Sequence, residues 1–149
     1  MTKAEKAKDL FLKGYNCAQA TFGAFAEDYG LDFNVAMTLS AGLGGGIGRL
    51  RETCGAVTGA TLAVSLAMGS FDLNNPDAKT RVYEEIRKVV EIFENETGSI
   101  ICADMLGVNR RSDDANAAPR TPEYYKKRPC ADLVYLAADA ADKIISNLQ

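Results

Sequence analysis

Residues 56–68 form the most apolar stretch of the chain and constrain its fold more than any other segment. At 13 residues, broken by small polar groups at Thr58, Thr61 and Ser65, the stretch is too short to cross a bilayer and reads as a buried helix. A helix over 55–68 would be apolar on nearly every side, so the remaining elements must pack around it and leave it at the centre of the molecule. The chain has 149 residues, 47% hydrophobic and 25% charged, which suits one ordinary core and a single domain over 1–149.

The flanking segments carry the period of amphipathic helices. Ala4, Ala7, Leu10 and Phe11 share one face of a helix over 4–13, ended by Gly14. Asn16 suits the N-cap of a second helix with Ala18, Phe22, Phe25 and Tyr29 on one stripe, stopped by Gly30; Asp32 or Asn34 caps a third through Leu39. After the turn Asn74-Asn75-Pro76-Asp77, a long helix over 77–96 aligns Val82, Ile86, Val89, Val90 and Phe93. A short helix over 100–106 ends at Gly107, and the polar residues 108–120 read as an exposed loop. Thr121-Pro122-Glu123 opens another helix, and Pro129 begins the last, with Leu133, Leu136, Ala137, Ala140, Ile144 and Leu148 on one face. No internal repeat or strand pair is expected. The predicted fold class is all-α, a single bundle of about six to seven helices around the central apolar helix, with a glycine-rich loop.

Composition removes several chemistries. With no His there is no Ser-His-Asp relay, no Cys-His pair, no imidazole-held zinc or haem. Seventeen basic against twenty acidic side chains leave a net charge of −3, which predicts neither nucleic acid nor an anionic membrane as partner. The N-terminus interleaves Lys3, Lys6 and Lys8 with acids and lacks the apolar run of a secretory signal, so a cytoplasmic location is expected.

What remains for chemistry is sulfur. Cys17, Cys54, Cys102 and Cys130 are spaced 37, 48 and 28 residues apart, so none belongs to a CxxC knuckle. Each lies at or near a predicted helix start: Cys17 follows Asn16, Cys54 precedes Gly55, Cys102 follows Ser99 and Cys130 follows Pro129. Such a position offers unpaired amides and the positive end of the helix dipole, which favour thiolate and suit metal or anion binding. The stripes that carry Cys17 and Cys130 point into the bundle. Three readings stay open: inert core packing, a metal or cluster site, and a reversible dithiol.

Two further features sit beside these thiols. Six glycines fall between Gly42 and Gly55, in Gly42-Leu43-Gly44-Gly45-Gly46-Ile47-Gly48 and Cys54-Gly55, without the spacing of a dinucleotide fingerprint or a P-loop. They permit close approach and unusual dihedrals just before Cys54, so that amides could be aimed at a sulfur, cluster or anion. Gly45, Gly46, Gly55 and Arg49 are the candidate cofactor-binding residues. Arg49 and Arg51 precede Cys54, and Lys126, Lys127 and Arg128 precede Cys130; these charges would lower a thiol pKa or attract an anionic reactant. Tyr15, Tyr124 and Tyr125 either donate to the sulfur site or pack.

Gly14-Tyr15-Asn16-Cys17-Ala18-Gln19, Gly44-Gly45-Gly46-Ile47-Gly48-Arg49, Cys54-Gly55-Ala56-Val57-Thr58-Gly59-Ala60, Gly98-Ser99-Ile100-Ile101-Cys102 and the late Cys130 together resemble the redox family named for its C_GCAxxG_C_C cysteine pattern. A similar helical domain occurs in split-Soret-type cytochromes, although without CxxCH or His the covalent haem of those proteins is not expected here. The resemblance implies a redox role for Cys17, Cys54, Cys102 and Cys130, either as ligands of an iron-sulfur cluster or other iron centre, or as redox thiols of a dithiol/disulfide centre. It leaves open whether the protein is an oxidoreductase or an electron-transfer protein, and it names no redox partner. Structural zinc bound by the same thiols, and a metal-free helical interaction module using the 108–120 loop, are the alternatives. A homodimer is expected on the base rate for helical domains of this size.

Overall fold

The computed structural model describes residues 1–148. Among these, eight α-helices and two short 3-10 turns are present and no strand. The helices are α1 (Lys3–Leu12), α2 (Cys17–Gly23), α3 (Phe33–Ser40), α4 (Gly55–Met68), α5 (Ala78–Thr97), α6 (Cys102–Leu106), α7 (Pro122–Lys127) and α8 (Cys130–Ser146). All-α architecture is as expected, with more helices than the six to seven predicted.

Capping chemistry sets several of the starts. Thr2 and Glu5 form a reciprocal capping box ahead of α1, and Asn16 and Gln19 form another ahead of α2, their side-chain oxygens accepting the partner's amide at 2.9 Å and 3.0 Å in the second box. Asp32 caps α3, and Thr121 caps α7 with Pro122 behind it. The expected continuous stripe from Ala18 to Tyr29 is broken: α2 stops at Gly23 and the chain tightens into a 3-10 turn at Ala26–Tyr29. Three residues per turn keep Phe22 and Phe25 buried while rotating Tyr29 outward, where it is 40% exposed.

The helices pack mainly as α1 on α8, α2 on α4, and α4 on α8. Small residues make these contacts close, with Ala18, Ala56, Ala60, Ala137 and Ala141 fully buried. Gly59 on α4 faces the α2 backbone so directly that a Cβ there would stand 2.7 Å from the Ala18 carbonyl oxygen. α4 is buried through Val57, Ala60, Ala63 and Val64, while Ser65 is exposed and Leu62 and Leu66 are half-buried. α5 enters the core through Val89 and Phe93, with Ile86, Val90 and Ile92 partly buried against it. No helix among the described residues is long and apolar enough to cross a membrane.

One local pairing positions the site. Thr53 and Ile101 form an isolated antiparallel bridge, framed by Cys54 N–H donating to the Ile100 carbonyl and Cys102 N–H donating to that of Glu52, both at 2.7 Å. Alternation along two extended segments then turns Cys54 and Cys102 to the same face, opposite Thr53 and Ile101. Residues 108–120 are irregular and largely exposed, as expected, yet they are tied down. Arg110 and Arg111 reach Glu52, the Arg111 amide donates to the Leu50 carbonyl, and Asp113 accepts from Arg51.

Candidate functional site

All four cysteines stand at helix starts. Cys17, Cys102 and Cys130 are the first residues of α2, α6 and α8, and Cys54 is the N-cap of α4. They line one cavity of about 60 Å³, together with Gly45, Gly46, Gly55, Arg51, Arg120 and Arg128. All four are free thiols, Cys17 partly buried and the others buried. Cys17 and Cys130 line the same cavity, and each is the largest influence on the other's ionisation. Among the described residues, no group of three or more His, Cys, Asp or Glu is arranged to hold a metal ion.

The thiols are electrostatically unequal. Cys130 is lowered from its ordinary 9.0 to about 7, first by the neighbouring Cys17 thiol, with Arg128, Arg51 and Arg120 adding positive charge against the opposing effect of burial. Cys17 is held well above the ordinary range by the neighbouring Cys130 and by burial. Burial pushes Cys54 up to about 12, although the first-turn amides of Ala56 and Val57 act in the opposite direction. Burial also raises Cys102, against Arg51, whose Nη1 lies 3.7 Å from its Sγ. The expectation that Arg49 and Arg51 would activate Cys54 is therefore corrected: Arg51 serves Cys102, and desolvation dominates at Cys54.

The glycine-rich loop has an unusual backbone. Gly45, Gly46, Ile47, Gly48 and Arg49 are all left-handed, with φ between 54° and 69°, and Arg51 follows at 60°. Each non-glycine residue there costs about 1–2 kcal/mol relative to a right-handed conformation, so surrounding contacts must hold the segment in place. Gly46 shows why the loop comes so close: a Cβ on it would fall 2.7 Å from both the Cys102 Cβ and the Glu52 nitrogen. The expected aiming of amides at sulfur is not the arrangement adopted by five of them. The amides of Ile47, Gly48, Arg49, Arg51 and Glu52 donate instead to the carbonyls of Leu43, Gly42, Gly44, Gly45 and Gly46. What the loop presents to the cavity is bare glycine surface and the Arg51 guanidinium.

Arg49 lies outside the thiol cavity, in an adjoining recess. Lys126 and Lys127 are exposed and line neither space, leaving Arg128 as the member of that basic run that reaches the site. Tyr15 packs edge-on against Phe33 and the Tyr125 hydroxyl donates to the Leu12 carbonyl, while Tyr124 lines the cavity. Two contributors escape sequence reasoning. Arg120 comes from the polar 108–120 stretch, stacks 4.2 Å above the Phe11 ring and donates to the Phe11 and Tyr15 carbonyls at 2.9 Å and 2.8 Å. Asp113, from the same stretch, accepts from Arg51 Nε at 2.7 Å. Nothing in a run of polar residues signals which of them folds back.

A family model described as "Putative redox-active protein (C_GCAxxG_C_C)" matches residues 15–144. No curated protein and no solved structure matches the chain. The family match begins just before the Asn16 cap, runs to Ile144 on α8 and takes in all four cysteines, so the chain belongs to the C_GCAxxG_C_C family.

Proposed function

We propose that the protein is a dithiol/disulfide oxidoreductase in which Cys130 attacks and Cys17 resolves. The observation that carries this reading is the pair of thiols that share one cavity at the starts of α2 and α8, with Cys17 raised and Cys130 lowered to about 7. A thiolate of that pKa is both populated near neutral pH and still a competent nucleophile. With an organic disulfide as co-reactant, the Cys130 thiolate attacks one sulfur, breaking the S–S bond and releasing the first thiolate. Cys17 then attacks Cys130 Sγ, expelling the second thiol-derived group, and the Cys17 proton passes to a released thiolate. Two electrons move from the protein to the small disulfide, and the reverse sequence reduces the protein.

Native thiol counting with mass spectrometry tests this. Brief exposure to a disulfide oxidant should remove two thiols and yield a peptide linked through Cys17 and Cys130, and Cys17→Ser should arrest the reaction at a mixed disulfide on Cys130. Four unreactive thiols would return the cysteines to inert packing.

A second reading, an iron-sulfur cluster in an electron-transfer protein, is favoured by the four thiols lining one cavity among three arginines that would offset cluster charge. Iron and acid-labile sulfide in anaerobically purified protein, with visible absorption, would favour the cluster.

A further inference from the structure

Beside the thiol cavity lies a larger recess of about 320 Å³, and the two share six lining residues, Arg51, Arg120 and Arg128 among them. Arg49 lines the recess as well, and no acidic side chain does. Four guanidinium groups therefore face one space in a chain whose net charge is −3. Their partners do not balance them. Asp113 pairs with Arg51 at 2.7 Å and with Arg49 at 4.0 Å, and Asp114 stands 3.9 Å from Arg49. Arg120 is fixed by backbone carbonyls, and Arg128 lies over the Tyr124 ring at 5.0 Å; among the described residues neither has a carboxylate partner. Two positive charges remain in excess, next to the cavity that holds Cys130. The volume is that of a small-molecule site rather than a surface for a folded partner.

We infer that this recess binds a small disulfide carrying two carboxylates, the anionic co-substrate of the Cys17–Cys130 pair. The reaction rests on the dithiol reading above; the binding rests on the arginines alone. Arg128, which has no carboxylate partner among the described residues, and Arg49, whose contacts with Asp113 and Asp114 are long at 4.0 Å and 3.9 Å, hold the carboxylates, since a guanidinium can donate two parallel hydrogen bonds to each. The disulfide bond then lies towards the shared wall, where the exchange already described consumes it and releases two carboxylate-bearing thiols.

Two measurements keep binding and chemistry apart. In the first, rates of thiol oxidation are compared for 3,3′-dithiodipropionate, neutral bis(2-hydroxyethyl) disulfide and cationic cystamine. The dicarboxylate should react at least about tenfold faster than the neutral compound, the range expected for hydrogen bonds to charged groups, and cystamine should be slowest. In Arg49→Gln and Arg128→Gln the ratio of anionic to neutral rates should collapse, and a ratio is insensitive to any change in thiolate content. Equal rates in the unaltered protein overturn the proposal. The second uses suberate, the carbon analogue that cannot be reduced, with octane-1,8-diol as its uncharged control, measured by calorimetry. Suberate should bind, the diol should not, and each arginine substitution should weaken suberate about tenfold. Suberate binding without reaction of any disulfide would uphold the anion site and sink the dithiol reading; suberate binding no better than the diol would sink the anion site itself.

Discussion

Cys130 owes its low pKa first to one neighbour and only then to a field. The Cys17 thiol is the largest cause and the arginines follow, so the two kinds of substitution should separate. The alkylation rate of Cys130 should rise with pH through a midpoint near 7, where an ordinary thiol would show 9.0. Cys17→Ala should move that midpoint upward further than Arg128→Gln does, and iodoacetamide kinetics read by mass spectrometry would reveal the reverse order if charge ruled. The stability consequence has a definite sign. A thiol whose folded pKa is depressed stabilises the folded state above its ordinary value and loses that contribution as pH falls from 9.0 to about 7. Cys17 shifts the opposite way in the same pair, which makes reactivity the cleaner readout. At this scale the sequence shows basic residues beside two cysteines. It does not show that burial would outweigh them at Cys54 or that Arg120 would arrive from a distant polar stretch, because both depend on tertiary contacts.

At the scale of elements, helix starts deliver the thiols and a left-handed loop closes over them. Asn16 both caps α2 and, through its Nδ2, donates to the Ala41 carbonyl at 2.9 Å, tying the start of α2 to the entry of the glycine loop. Asn16→Ala should cost about 1–2 kcal/mol in urea unfolding, the usual range for a lost cap, and should slow Cys17–Cys130 disulfide formation. The loop makes a sharper contrast. Gly46→Ala combines a left-handed backbone at φ 69° with the contact to Cys102, and should destabilise by about 2–4 kcal/mol. Ile47 shares the left-handed conformation but is 42% exposed, so Ile47→Gly should leave stability unchanged or raise it by about 0.5 kcal/mol; a loss as large as that of Gly46→Ala would mean the loop is not left-handed there. The caps at Asn16, Asp32 and Thr121 are legible because capping is a local hydrogen bond between near neighbours. The glycine run announces unusual dihedrals for the same reason. That Ile47, Arg49 and Arg51 share them is not legible, since these residues are held by carbonyls four to six positions back and by the strap at Asp113.

Across the whole molecule, the four cysteines are brought together by packing that no pairwise spacing encodes. The α1, α2, α4 and α8 contacts close over small side chains, and it is this docking of the first and last parts of the chain that sets Cys17 against Cys130. Period and capping predict each of these helices, but the choice of partners follows from which alanine faces fit, a property of surfaces rather than of segments. A disulfide between α2 and α8 would therefore bridge 113 positions of sequence and restrict the unfolded chain strongly. Loop-closure reasoning for so long a separation gives more than 4 kcal/mol, and the usual measured range is about 2–4 kcal/mol once native strain is included. Oxidised protein should thus unfold at higher urea than reduced protein by that amount, and the difference should vanish in Cys17→Ser or Cys130→Ser. Linkage carries the same quantity into the chemistry: whatever the bond adds to folding stability, the folded state adds to the stability of the bond against reduction. A short-range pairing of Cys54 with Cys102 would close 48 positions instead and leave the first and last helices untethered. A urea shift that survives both Cys17→Ser and Cys130→Ser would assign the redox pair to Cys54 and Cys102, and with it move the reactive sulfur from the Arg128 side of the cavity to the Arg51 side.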